Sequence, residues 1–158
     1  MHMITRKSMR LHIALAALVG FVDAAAFLML GGLFVAAMSG NGTIMSVSLA
    51  QHSGLAPIAA LMIGAFLLGV IAGSALGQIA GDRRRTAVLA LVAVLLALAA
   101  VSSEMRWVIA SGAAMAAAVG VANRVVELDD GSIGAHYFLT SLGHRLAKRL
   151  SGDAGADC

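Results

Sequence analysis

Long apolar stretches separated by short polar or basic segments make up most of the chain. They cover residues 11–30, 31–50, 57–80, 86–103 and 107–123, and a weaker stretch covers 132–147. A helix that rises about 1.5 Å per residue needs roughly 20 apolar residues to cross a hydrocarbon core of about 30 Å. The pattern therefore predicts an all-α, polytopic membrane helix bundle of about five to six spans, forming a single domain over residues 1–158.

The second stretch differs from the others because Ser39-Gly40-Asn41-Gly42-Thr43 interrupts it. Basic residues precede the first stretch at positions 6–10 and follow the third at 83–85. If every stretch crossed once, these two basic groups would lie on opposite sides, against the positive-inside tendency. A broken or re-entrant segment at 31–50, which enters and leaves on one side, removes that conflict. Such backbone is tolerated where protein or a wet cavity surrounds it.

The composition agrees with a membrane protein. The chain is 60% hydrophobic and 12% charged, whereas soluble domains are about 25% charged. Its formal net charge of +3 comes from basic residues at segment ends, which suit membrane orientation and anionic lipid rather than nucleic acid. The lone Cys158 gives no disulfide framework and no cysteine metal site.

The first apolar stretch resembles a signal peptide, but one residue argues against cleavage. Asp23 is the only formally charged residue between Leu11 and Gly81, and it stands where a cleavage site should be uncharged. We therefore expect an uncleaved first span. A carboxylate at that depth is costly unless it is paired, protonated or hydrated, which makes it a candidate functional group. The alternative is a structural Asp that bonds a neighbouring helix.

Small residues recur every four positions in the third stretch and again in the fifth. The first set is Ala65, Gly69, Gly73, Gly77 and Gly81, and the second is Gly112, Ala116 and Gly120. Lipid gives no hydrophobic drive for helix association, so close backbone approach has to supply the contact. We predict a helix-packing seam at these residues, either between the two helices of one chain or across a homo-oligomer interface.

A weak internal repeat relates the two halves of the chain. Gly20-Phe21-Val22-Asp23 is echoed by Gly120-Val121-Ala122-Asn123. Each is followed some fourteen residues on by a pair that begins with an aromatic residue, Phe34-Val35 and Tyr137-Phe138. If 31–50 is re-entrant, the two repeated helices run in opposite directions, as an inverted repeat requires. Transporters with such repeats place broken helices around a site at the membrane midplane.

The same residues resemble a known family. Gly20-Phe-Val-Asp-Ala24 followed by Leu30-Gly-Gly-Leu-Phe-Val-Ala-Ala-Met-Ser-Gly-Asn41 is similar to the signature of the YoaK family. The family usually has Thr at the position of Ser39, and a Gln where this chain has Ala122. The resemblance implies a multi-pass protein of the bacterial plasma (inner) membrane with about six helices, and no settled activity.

Two functions are compatible with these features. The first is a small-solute or ion transporter whose polar site comprises Asp23, Ser39, Asn41, Thr43 and Asn123. The second is a non-transporting scaffold or partner subunit that associates through the glycine-rich faces. We expect no enzyme, metal or cofactor, because the histidines are dispersed and no nucleophile elbow or phosphate loop is present.

Overall fold

The computed structural model describes residues 6–130, and the side chains of 13–81 and 83–123 within that range. These residues form helices joined by short turns. The helices are α1 (Arg6–Met29), α2 (Met38–Gln51), α3 (Ala56–Ile79), α4 (Arg84–Glu104) and α5 (Val108–Asp130), with a 3₁₀ turn at Gly81–Arg83 before α4. The prediction of an all-α bundle is confirmed. The stretch at 132–147 lies outside the described residues.

The directions of the helices follow from which residues meet. A Cβ atom on Gly112, near the start of α5, would lie 2.8 Å from Leu30, just after the end of α1. Leu15, in the first half of α1, belongs to the same buried cluster as Val121 in the second half of α5. Helix α1 is therefore antiparallel to α5. The opposite directions that the internal repeat requires are present in the structure.

Helices α3 and α5 run parallel and touch through glycine. A Cβ on Gly69 would overlap the carbonyl oxygen of Ala117, and one on Gly73 would lie 3.1 Å from the Cα of Val121. One on Gly120 would overlap the carbonyl oxygen of Phe66. The sequence was compatible with contact between two helices of one chain or across a homo-oligomer interface. In the structure these glycines contact backbone of the same chain.

The other glycines of the predicted seam divide into two groups. Gly77 is buried on α3, on the same four-residue spacing as Gly69 and Gly73. Gly81 is exposed, with φ at +51°, in the turn that follows that helix. Gly112 is buried, and the atoms nearest to a Cβ placed on it belong to Leu30, just after α1. The described glycine contacts between α3 and α5 are therefore those of Gly69, Gly73 and Gly120, and Gly81 lies outside the seam.

Helix α4 is antiparallel to α5, so α1 and α4 run in one direction and α3 and α5 in the other. The buried Ser111 hydroxyl, near the start of α5, donates to the carbonyl oxygen of Ala99 near the end of α4, at 2.8 Å. The beginnings of α1 and α4 consequently lie at the same end of the bundle, together with the basic residues 83–85. We call this the basic end, and the other the opposite end.

Apolar side chains cover the outside of the bundle. Leu68, Ile71 and Ile79 of α3 are 67, 63 and 83% exposed. Among the described side chains, those of α3 and α4 make helices long and apolar enough to cross a membrane. The described apolar parts of α1 and α5 cover Ile13–Met29 and Val108–Asn123. Exposed apolar faces of this extent favour a lipid environment over water.

Candidate functional site

The interruption of the helical chain lies at residues 30–37, between α1 and α2. Gly31 and Gly32 have φ of +66° and +105°, a backbone region that residues with a Cβ rarely adopt. The chain reverses there, and Val35 and Ala36 bond to Asp23. Asp23 lies six residues, or about 9 Å, before the last residue of α1, Met29. The segment therefore turns into the bundle from the opposite end.

Helix α2 returns to the end from which this segment came. It has 14 residues, so its length is about 21 Å, less than the roughly 30 Å of a hydrocarbon core. A four-residue turn (52–55) joins it to α3, where the Ser48 hydroxyl accepts the Ala56 N–H at 2.9 Å. Residues 30–51 thus enter and leave the bundle at one end, which agrees with the predicted re-entrant segment.

Asp23 holds this segment through its carboxylate. Its Oδ1 accepts hydrogen bonds from the backbone N–H groups of Val35, at 2.7 Å, and Ala36, at 2.8 Å. These donors immediately precede α2, whose N-cap residue, Ala37, offers no side-chain cap. A negative charge beside the N-terminus of a helix is also favoured by the helix dipole. Asp23 therefore stabilises the start of α2 from a different helix.

Asn41 holds the same segment from the other side. It is fully buried, and its Oδ1 accepts the Phe34 N–H at 2.8 Å while its Nδ2 donates to the Phe34 carbonyl oxygen at 2.6 Å. Phe34 is half-buried and not helical, and backbone polar groups that are shielded from water need partners. The single amide side chain of Asn41 supplies both.

The ring of Phe34 lies between α1 and α2. Its centroid is 5.0 Å from that of Phe27 on α1, with the ring planes tilted by 41°. On the α2 side, a Cβ on Gly40 would lie 2.9 Å from the Phe34 ring, so glycine is what allows the ring to pack there. Phe27, Phe34 and Gly40 were not predicted as site residues, although the repeat had marked Phe34 as part of an aromatic–aliphatic pair.

An open groove lies beside the Asp23 carboxylate. It has a volume of about 470 Å³ and is lined by Gly20, Asp23, Ala24, Phe27, Leu28 and Phe34. Asp23 is half-buried and has the one polar side chain among the described residues of this lining. We call this feature the Asp23 groove. It combines one carboxylate with two aromatic rings and otherwise apolar walls.

The other predicted site residues lie elsewhere. Ser39 and Thr43 are exposed residues of α2, and the Thr43 hydroxyl donates to the Ser39 carbonyl oxygen at 3.2 Å. The break expected at Ser39–Thr43 is therefore ordinary helix, and the real break precedes it. The hydroxyls of Thr43 and Ser46 bond to carbonyls of their own helix, which allows small polar residues to remain helical.

Asn123 is half-buried on α5, away from Asp23. Its neighbour Ala122 shares a buried cluster with Leu15, which precedes Asp23 by eight residues, or about 12 Å along α1. The structure therefore brings Asp23 and Asn41 to one segment of backbone but does not bring Asn123 to them. The side chain of Arg124, and residues His136 and His144, lie outside the described residues.

Comparison with known proteins supports the resemblance seen in the sequence. The family model "Protein of unknown function (DUF1275)" matches residues 11–154, nearly the whole chain. No curated protein and no solved structure is significantly similar to the chain. The chain belongs to the DUF1275 family, which is the YoaK family of uncharacterised membrane proteins.

Proposed function

We propose that this membrane protein is a transporter of a small solute or ion, with Asp23 as the charged group of its site. The observation that carries the proposal is the position of the Asp23 carboxylate, which joins a re-entrant segment and also lines an open groove. Ionisable groups within membrane helices generally face an interior or a cavity and serve in ion or solute pathways. Transporters commonly build such sites where a helix is interrupted.

The bonds of Asp23 leave part of its carboxylate for a ligand. Oδ1 accepts both backbone N–H groups, and the side chain is not fully buried. A proton or a cation bound at the carboxylate would change the negative charge beside the start of α2. Since the same group holds Val35 and Ala36, occupancy of the groove and the position of the re-entrant segment would be linked.

The scaffold function has less support. It relied on glycine-rich faces for association with a partner, and Gly69, Gly73 and Gly120 instead contact backbone of the same chain. A variant such as Gly73→Leu would act on the folding of the bundle before it acted on any assembly.

The remaining alternative is that Asp23 is purely structural, and two substitutions separate the possibilities. Asp23→Asn keeps an oxygen that accepts the Val35 and Ala36 N–H groups but removes the charge. Asp23→Ala removes the acceptor as well and leaves two backbone donors without a partner, at about 1–3 kcal/mol each. A structural role predicts that only the Ala variant is impaired, whereas a transport role predicts that both are.

The experiment is a flux assay on the full chain in liposomes, using an internal pH dye and a broad panel of small solutes. We expect proton-linked flux from wild type and none from Asp23→Asn. The free energy of unfolding of that variant should fall by no more than about 1 kcal/mol, because it loses only the charge beside the N-terminus of α2. Thr43→Ala, which removes an exposed hydroxyl of α2, serves as the control and should keep its flux. Full flux from Asp23→Asn, or no wild-type flux with any solute, would overturn the proposal.

A further inference from the structure

The chemistry of the Asp23 groove limits what can bind there. Its described lining offers a single carboxylate, and none of the described lining residues has a basic side chain. An anion would therefore meet negative charge from these residues and no cationic partner among them. This lining favours a neutral or positively charged ligand over an anion.

A bare metal ion does not fit this lining. Hard cations such as Mg²⁺ and Ca²⁺ bind about six or more oxygen ligands, whereas Asp23 has the one oxygen-bearing side chain among the lining residues that the structure describes. Its Oδ1 is already bonded by two N–H donors, whose partial positive charges oppose a metal at that atom. Among the described residues no group of three or more His, Cys, Asp or Glu side chains is placed to hold a metal.

A small organic cation fits the charge, the aromatic and apolar walls and the volume of the groove. We infer that the Asp23 groove binds a small alkylammonium compound, with its positive charge near Asp23 and its alkyl groups against Phe27 and Phe34. Aromatic faces attract such cations, and the apolar walls contact alkyl groups that water solvates poorly. The volume of about 470 Å³ is within the range of small-molecule sites, roughly 300–1,000 Å³. This inference rests on the proposed function and names its ligand class.

The placement of Phe27 and Phe34 supports a built site. Their rings approach at 5.0 Å, and Phe34 is held by the Asn41 bonds to its backbone and by its fit against Gly40. One aromatic wall is thus fixed by α2 and the other by α1. The carboxylate that lines the same groove belongs to Asp23, the residue that holds the re-entrant segment.

The test measures binding of choline to the full chain in detergent by isothermal titration calorimetry. Its neutral isostere, 3,3-dimethyl-1-butanol, has the same shape without the charge. We expect saturable binding of choline and none of the isostere. Asp23→Asn should weaken choline binding at least tenfold, and Phe27→Leu about two- to fivefold, the range of an exposed to partly exposed cation–π contact.

Phe21→Leu is the matched control, because Phe21 is a 72% exposed phenylalanine of the same helix and does not line the groove. Its choline affinity should equal that of wild type. Equal binding of the isostere, or undiminished choline binding by Asp23→Asn, would overturn the inference. If Asp23→Asn abolishes flux of another solute while choline does not bind, the proposed function stands and this inference fails.

Discussion

The α3–α5 seam and the re-entrant segment at 30–37 both depend on glycine, but for different physical reasons. In the seam, Gly69 and Gly120 are helical, and their missing side chains let two backbones touch. In the re-entrant segment, Gly31 and Gly32 have positive φ and end a helix. A helix satisfies its own backbone polar groups, so the seam needs only close contact. The interrupted segment needs outside partners.

Asp23 and Asn41 supply those partners. Together they accept three backbone N–H groups and donate to one carbonyl within residues 34–36. The seam, by contrast, has backbone and apolar atoms at each glycine contact. The two side chains that satisfy this backbone therefore meet it just after α1 ends, and Asp23 also lines the groove.

The largest expected effect concerns the accessibility of the helix ends from each side of the membrane. If 30–51 is re-entrant, Ser8 in α1 and Arg84 at the start of α4 lie on one side, and Gln51 and Met105 on the other. Single cysteines at these positions, in a Cys158→Ser background, can be labelled with an impermeant maleimide in sealed vesicles. We expect all-or-none labelling in these two pairs.

A fully crossing α2 gives a different pattern. Gln51→Cys would then be labelled from the same side as Ser8→Cys, and Arg84→Cys from the other side. That outcome would remove the distinction between the re-entrant segment and the spanning helices, whereas the paired pattern would establish that the basic end faces one compartment.

The sequence predicted the seam more accurately than the break because the two signals have different ranges. A four-residue spacing of small residues defines one face of a helix locally, and Gly69, Gly73 and Gly120 do form the seam. The turn at Gly81 continues the spacing but not the helix. Which helix a glycine face meets depends on tertiary packing. The nearest atoms to a Cβ placed on Gly112 therefore belong to Leu30, just after α1, although Gly112 continues the spacing of Gly120.

The interruption of the helix at residues 30–37 shows more clearly what the sequence does not predict. The small polar residues around Ser39–Thr43 favoured an interruption, yet they lie within α2. The Thr43 hydroxyl finds its partner on the carbonyl oxygen of Ser39 in the same helix, so it needs no break in the helix. Asp23 was identified as a candidate from its isolation in an apolar helix. Its partners at Val35 and Ala36 are 12 and 13 residues away, and no sequence period predicts such a bond. The glycine pair at 31–32 was the available signal for the true break.

The second expected effect is on the stability of the seam. Gly69→Ala places a methyl group on the Ala117 carbonyl oxygen, and two helical backbones cannot shift apart without losing their other contacts. We expect a loss of about 3 kcal/mol or more in the free energy of unfolding, at or above the upper end of typical overpacking costs. Denaturant titration in detergent, followed by circular dichroism, measures it.

Gly64→Ala is the matched control for the seam. Gly64 lies on the same helix, and a Cβ there would meet nothing within 4 Å. Because alanine is the better helix former, this variant should match wild type or gain up to about 1 kcal/mol. Equal destabilisation of the two variants would show that loss of helix flexibility, and not contact with α5, explains the effect.

The smallest of the three effects belongs to the re-entrant segment. Asn41→Ala leaves the N–H and the carbonyl of Phe34 without their side-chain partner. The cost should be about 1 kcal/mol for each group, at the lower end of the usual range because Phe34 is only half-buried. Thr43→Ala on the same helix removes an exposed hydroxyl and should change stability by no more than about 0.5 kcal/mol.

Amide hydrogen exchange compares the two regions directly. The Phe34 amide should exchange faster in Asn41→Ala than in wild type, while the amides around Gly69 stay protected. If protection fell equally at both places, the seam and the re-entrant segment would form a single cooperative unit, and the separate physical roles assigned to their glycines would not translate into separate stabilities.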